Sequence, residues 1–254
     1  MDQKLLGNIT GIATSIPELL TTTFSASIGF IESSLFNIVS SNVINLVQYL
    51  FSIYLNKNQK HLNNKAIKID LLLVIITIFI PFCLILFNAE MNSAIVIIFL
   101  VLLVLFYYIN NNVHKLFLKQ EDKEIIKEEE IKDEKEYRFK RNDKKTLIKY
   151  IIYLIIVISI LYLVGEFLSS TLKTLGNIFG LSEIILGILL GIVTSIPELI
   201  TFIEAQRKNK ENKNNEEMNK IGVIEATNNL LTSNVLNLFF IQSVAIVIFL
   251  IFGK

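Results

Sequence analysis

Two runs of this 254-residue chain, 70–88 and 93–108, consist almost wholly of Ile, Leu, Val and Phe and contain no Lys or Arg. Segments of that kind fit a hydrocarbon layer, whose core of roughly 30 Å takes about 20 helical residues to cross. The composition agrees: 52% hydrophobic residues, 10 Gly, 3 Pro and a mean hydropathy of +0.56 are too apolar for a water-soluble domain of this size. The expected fold class is therefore an all-α polytopic membrane protein. A net charge of +1 gives no bulk attraction to nucleic acid, and the 24 basic and 23 acidic residues crowd into short stretches between apolar runs, as aqueous loops do. The single cysteine, Cys83, sits in an apolar run and allows neither an intrachain disulfide nor a multi-cysteine metal site.

Hydrophobic runs and polar punctuation predict seven helical segments, near 5–27, 33–55, 68–88, 92–113, 147–168, 181–204 and 222–252. The first begins after one Lys and lacks a small-residue cleavage site, so it reads as a functional span rather than a signal peptide. A charged stretch, 119–146, separates a first half (1–118) from a second (147–254). Lys and Arg concentrate in the 56–68, central and 205–220 connections, whereas 28–34, 89–91 and 169–180 hold only Lys173. The excess of basic residues on cytoplasmic loops then places the N-terminus and the central loop inside. Glu32 and Glu225 are expected at the interface, Glu166 at the end of its span, His61 and His114 in solvated connections, and Pro81 at a simple kink.

The halves contain a repeat. Gly11-Ile-Ala-Thr-Ser-Ile-Pro-Glu-Leu-Leu-Thr21 matches Gly191-Ile-Val-Thr-Ser-Ile-Pro-Glu-Leu-Ile-Thr201 at nine of eleven positions, and Ser41-Asn-Val-Ile-Asn-Leu46 matches Ser233-Asn-Val-Leu-Asn-Leu238 at five of six. A two-helix unit is thus used twice. The loop charges give the two copies opposite orientations, the arrangement of secondary transporters whose site lies where inverted repeats meet.

Polar groups at membrane depth are costly unless they face a bundle interior or a wet cavity, which marks these helices as the functional ones. Pro17 and Pro197 lack an N–H and interrupt the helical ladder beside Glu18 and Glu198, which frees carbonyl oxygens. On a continuous helix Thr14 and Ser15 would share a face with Glu18, and Thr194 and Ser195 with Glu198. Two carboxylates with hydroxyl and carbonyl oxygens form a hard, all-oxygen cage suited to Ca²⁺, and no Cys/His cluster favours a softer metal.

These motifs resemble the α-repeats of the sodium/calcium exchanger family, within the wider cation/Ca²⁺ antiporter superfamily. In that family the first repeat helix reads G-T-S-x-P-E and the next G-S-N-x-x-N; here they read Ala13-Thr-Ser-Ile-Pro-Glu18 with Ser40-Ser-Asn-Val-Ile-Asn45, and Val193-Thr-Ser-Ile-Pro-Glu198 with Thr232-Ser-Asn-Val-Leu-Asn237. The resemblance implies an inverted-repeat exchanger-like bundle. Glu18 and Glu198 would ligate Ca²⁺ and share Na⁺ sites, Thr14 and Thr194 would serve both ions, and Ser15, Ser195, Ser41 and Ser233 would line flanking Na⁺ positions. Asn45 and Asn237 match the central position, where members often have one Asn and one Asp. Ala13, Val193, Ser40 and Thr232 replace small Gly positions, which predicts a looser helix approach. Members usually have ten spans in two sets of five, so a homo-oligomer or a complementing chain is also expected.

The resulting expectation is antiport of Ca²⁺ for Na⁺ across the cell membrane, with the lipid bilayer as surroundings and no resident cofactor. Ca²⁺/H⁺ antiport, with the two Glu titrating, and a non-transporting fragment or subunit of a split exchanger remain open. An enzyme is not expected: the paired carboxylates are both Glu beside Pro, no Asp lies in the interior of a predicted span, Asp70 being near a span end, and neither a nucleophile–His arrangement nor a phosphate-cradling glycine loop is present.

Overall fold

A computed structural model describes residues 3–87, 90–117, 144–210 and 216–253. The elements among them are helical: α1 (Gln3–Thr14), α2 (Ile16–Ser27), α3 (Ile31–Leu55), a 3-10 turn (Gln59–Asn63), α4 (Lys65–Leu86), α5 (Ser93–Phe117), α6 (Lys144–Phe179), α7 (Glu183–Thr194), α8 (Ile196–Lys210), α9 (Glu216–Val235), a π segment (Leu236–Ile241) and α10 (Gln242–Phe252). The protein is an all-α polytopic membrane protein.

Among the described residues five helical stretches are long and apolar enough to cross a membrane: Ile31–Leu55, Lys65–Leu84, Ser93–Asn110, Glu183–Arg207 and Asn219–Phe252. The other two expected spans, 5–27 and 147–168, correspond to α1–α2 and to α6, whose side chains are described only in part. The α1–α2 pair is polar because its hydroxyls are buried against protein; Thr14, Ser15, Thr21, Thr22 and Ser25 are all inaccessible. The outer helices show the reverse pattern: Phe79, Phe82, Ile97, Val104, Leu163 and Phe167 are exposed on α4, α5 and α6. An interior of Ser, Thr, Asn and Glu wrapped in exposed aliphatic and aromatic side chains is what a bilayer solvent selects.

Several boundaries differ from the sequence expectation. The first and sixth segments are each two half-helices, broken by turns at Ser15 (φ −79°, ψ 0°) and Ser195 (φ −81°, ψ 1°). Proline is tolerated in the first turn of a helix but not in its interior. The chain therefore restarts one residue before Pro17 and Pro197, and the carbonyls of Ala13 and Val193 lose their usual donor four residues on. The 169–180 connection is instead the continuation of α6, which runs to Phe179. It stops where Gly180 adopts φ +64° and the Leu181 N–H bonds the Gly176 carbonyl at 3.0 Å, a Schellman closure that needs a left-handed residue. Glu166 is consequently mid-helix, although exposed, and His114 lies within α5. Glu225 and His61 are both buried rather than interfacial or solvated, because α9 already begins at Glu216 and the 3-10 turn folds His61 inward. Glu32 and Cys83 are exposed. Most of the charged stretch 119–146 lies outside the described residues.

The register of the contacts shows the inversion directly. Helices α1 and α9 run in the same sense, since Gly7 lies against Glu225, Asn228 and Asn229, and Gly11 against Asn229 and Thr232. Helices α7 and α3 do the same, with Gly187 against Ser33, Phe36 and Asn37, and Gly191 against Asn37, Ser40 and Ser41. Between α3 and α9 the bonds run the other way, Asn45 reaching Asn234 and Asn237 reaching Asn42. It follows that α1 and α7 are antiparallel and that each packs on the long helix of the opposite half. These glycines also correct the expected loose approach. Ala13 and Val193 point outward, and the close contact comes two and six residues earlier, at glycine pairs spaced four apart.

An apolar cluster, including Tyr49, Ile67, Val74, Phe99, Phe202 and Leu230, packs α4, α5 and α8 around α3 and α9. Helix α6 docks on α2, with Gly165 close to Leu20 and the Phe24 and Tyr162 rings edge to face at 5.1 Å.

Candidate cation site

The half-helix breaks bring the two halves of the sequence motif together at the centre of the bundle. Glu18 and Glu198 start the second half-helices, α2 and α8. Both are fully buried and close enough to interact electrostatically. Among the described residues no group of three or more His, Cys, Asp or Glu could hold a metal, so any cation here would be held by these two carboxylates with neutral oxygens.

The threonines do not serve the carboxylate of their own helix. Thr194 faces Glu18, and Thr14 faces Glu198. The turn at Ser15 and Ser195 rotates each half-helix relative to the next, so the three- and four-residue spacing of a continuous helix does not hold, and the opposite repeat supplies the hydroxyl. Ser15 Oγ bonds the Gly11 carbonyl at 2.8 Å and Ser233 Oγ at 3.0 Å, and Ser233 Oγ donates to Glu198 Oε1 at 3.2 Å. Ser41 lies across from Thr194, with 3.4 Å between hydroxyl oxygens. Ser195 is buried beside Glu198 in sequence, and its Oγ has no hydrogen-bond partner.

Asn45 and Asn237 are both fully buried, and their amide nitrogens are committed. Asn45 Nδ2 donates to Ser233 Oγ (3.4 Å) and Asn234 Oδ1 (3.2 Å), and Asn237 Nδ2 donates to Asn42 Oδ1 (3.2 Å). Both Oδ1 atoms are left without a hydrogen-bond partner, as are both oxygens of Glu18 and Oε2 of Glu198. Buried polar atoms are normally satisfied. A central set of unsatisfied atoms consisting of carboxylate, amide and hydroxyl oxygens is the donor chemistry that hard cations require. All ten residues singled out in the sequence thus lie in one buried region contributed equally by the two repeats.

Sequence reasoning missed the frame behind them. Asn42 and Asn234 each donate Nδ2 to the other's main-chain carbonyl at 3.1 Å, tying α3 to α9 at the crossing. Both belong to the repeated Ser-Asn-Val motif, so their duplication was a readable signal. Asn37 binds the Thr21 and Thr22 hydroxyls, each at 3.0 Å, and Asn229 binds Thr201 at 2.7 Å; these two asparagines stand four residues before Ser41 and Ser233. Farther along the bundle, Gln206 Nε2 bonds Ser52 Oγ (2.7 Å) and Asn58 Nδ2 bonds Gln206 Oε1 (3.1 Å). Replacing Asn42 with Ala removes one of the reciprocal bonds and strands Asn237 and the Asn234 carbonyl. A loss of about 2–4 kcal/mol is expected, since each buried group left unsatisfied costs roughly 1–3 kcal/mol. Thermal unfolding in detergent would show it as a lowered midpoint; an unchanged midpoint would remove the frame role.

Residues 149–252 match the family model for the sodium/calcium exchanger protein. That segment of the chain is similar to the sodium/calcium exchanger family. It contains α7, α8, α9 and α10 and the second copy of the motif, Thr194 to Asn237. The first half carries the same motif in inverted orientation. No curated protein and no solved structure matches the chain. The family is one of transporters rather than enzymes, and the match supports a cation exchanger-type membrane transporter.

Proposed function

We propose that the chain is a secondary antiporter that exchanges Ca²⁺ for Na⁺ by alternating access, with Glu18 and Glu198 as the charged ligands of both ions. The observation that supports this most is the meeting of one buried, incompletely bonded carboxylate from each inverted half. Thr14, Thr194, Asn45 and Asn237 add neutral oxygens at the centre, and Ser15, Ser195, Ser41 and Ser233 flank it. Two ionised glutamates neutralise one Ca²⁺ or two Na⁺.

Exchange, rather than a leak, follows from the low dielectric. A form closed to both faces buries the two carboxylates with no water to solvate them, and uncompensated charge there is costly. The protein crosses between inward- and outward-open forms only when cations fill the cage, so one ion must bind for the other to have left. With the N-terminus and the 119–146 stretch cytoplasmic, as the Lys and Arg distribution requires, an inward Na⁺ gradient drives Ca²⁺ out of the cell.

Radiolabelled Ca²⁺ uptake into proteoliposomes loaded with Na⁺ tests the coupling. Uptake that needs internal Na⁺ and is indifferent to an imposed pH gradient is the expected result. Uptake driven by the pH gradient without Na⁺ would make the chain a Ca²⁺/H⁺ antiporter. Absence of uptake with inserted, folded protein would favour a subunit that works only with a complementing chain.

A further inference from the structure

The two halves share hydrogen bonds that the inversion maps onto one another. Asn45 to Asn234 answers Asn237 to Asn42, at 3.2 Å each; the Asn42 and Asn234 carbonyl bonds are reciprocal; and Asn37 to Thr21 answers Asn229 to Thr201. This frame is the same in both halves.

The hydroxyls within it are not. In the second half Ser233 Oγ donates to Glu198 Oε1, while Asn229 Oδ1 has no partner. In the first half Ser41 makes no bond to Glu18. Its Oγ lies 3.5 Å from both Asn37 Oδ1 and the Gly191 carbonyl and 3.4 Å from Thr194 Oγ1, while Thr194 Oγ1 donates to the Leu190 carbonyl at 3.0 Å and lies 3.5 Å from the same amide oxygen. Both oxygens of Glu18 are correspondingly without a partner. One half has its serine on the carboxylate and its amide oxygen unused, and the other has its serine beside the amide oxygen and off the carboxylate.

A hydroxyl has one proton to give, so the carboxylate and the amide oxygen compete for it. All of these side chains are buried, where an acceptor without a donor is costly. We infer that Asn37 and Asn229 are positioning residues, alternate acceptors that draw Ser41 and Ser233 off the carboxylates in turn, and that the halves exchange arrangements as access passes between membrane faces. This rests on the exchanger reading above. Because the repeats are inverted, swapping the arrangements gives the oppositely facing form with the same kinds of bond, so the two forms stay close in free energy. The half whose serine stands off its carboxylate presents both carboxylate oxygens to a cation.

The test reads conformation directly. Ser195→Cys in a Cys83→Ala background is reconstituted with fixed orientation, and its rate of modification by a membrane-impermeant thiol reagent is measured from each face. Asn37→Ala and Asn229→Ala are expected to move the ratio of the two rates in opposite directions, each by about three- to tenfold, the effect of one net buried hydrogen bond. The double variant should return near the parent ratio, and Asn37→Asp, which keeps and strengthens the acceptor, should move opposite to Asn37→Ala. Shifts in the same direction, or unchanged ratios in folded variants, overturn the inference. Should the Ala variants fail to fold, Asn37→Asp and Asn229→Asp must still oppose each other. Labelling needs no ion flux: opposed shifts in a protein that moves no Ca²⁺ would sink the exchanger reading alone, and Ca²⁺ exchange without opposed shifts would sink the alternation alone.

Discussion

Glu18→Gln and Glu198→Gln are each expected to reduce Na⁺-driven Ca²⁺ uptake by at least about 100-fold while leaving the protein folded. Glutamine is nearly isosteric with glutamate, so the packing of α2 and α8 is kept. It replaces a charged pair of oxygens with one neutral oxygen and an amide that can only donate, the wrong polarity for a cation. One unit charge at 4 Å interacts with another by about 4 kcal/mol at an effective dielectric of 20, and with a divalent ion by about twice that. If desolvation offsets half of it, roughly 4 kcal/mol remains, about three orders of magnitude in affinity. Radiolabelled uptake into Na⁺-loaded vesicles, beside size exclusion of the same preparations, measures both quantities. Undiminished flux in both variants would sink the carboxylate cage. The two variants are expected to be comparable in effect, since each half supplies one of the two carboxylates and both are fully buried.

The second large effect is steric. A Cβ built on Gly187 would lie 2.5 Å from the Ser33 carbonyl oxygen and 2.8 Å from Phe36 Cβ; on Gly7 it would lie 2.6 Å from the Glu225 carbonyl oxygen and 2.9 Å from Asn228 Cβ. The obstacles include main-chain atoms of the opposite long helix, which cannot rotate away as a flexible side chain can. Overpacking of a tight core costs about 1–3 kcal/mol and occasionally more. Gly187→Val, which adds two further methyl groups beyond that first clash, is placed at or above the upper end. Ca²⁺ affinity should fall with stability, because α3 carries Asn37, Ser41 and Asn45 while α7 carries Thr194, and prising these helices apart opens the site between them. Ala13→Val is the matched control: that side chain is exposed, and enlarging it should be nearly neutral. Thermal midpoints in detergent together with Ca²⁺ uptake check both. Equal effects of Gly187→Val and Ala13→Val would mean the crossing is not where the halves are held.

The contrast between Gly187 and Ala13 shows what kind of information a motif carries. The small positions of the family pattern pointed to 13, 193, 40 and 232; of these Ser40 and Thr232 do lie at the crossing, against Gly191 and Gly11, while 13 and 193 face outward and the close approach is made by Gly7, Gly11, Gly187 and Gly191. Nothing in the spacing of one helix says which face another helix will cross, and a glycine in an apolar run looks the same in sequence whether or not a backbone lies against it.

By itself the sequence determined the helical class, the membrane as its solvent and the inversion of the repeats, and it marked ten candidate residues that the fold buries. These follow from local quantities: the length of uncharged apolar runs, basic residues at their ends, and a motif repeated too closely for chance. Tertiary structure alone decided the partners. Thr14 faces Glu198 and not Glu18 because the turn at Ser15 ends the helical spacing; Asn42 and Asn234 form the crossing because α3 and α9 meet there; Glu225 and His61 are buried because other elements cover them. Each of these depends on residues distant in sequence being brought together by packing, and a hydroxyl or amide in the chain carries no mark of the partner it will meet.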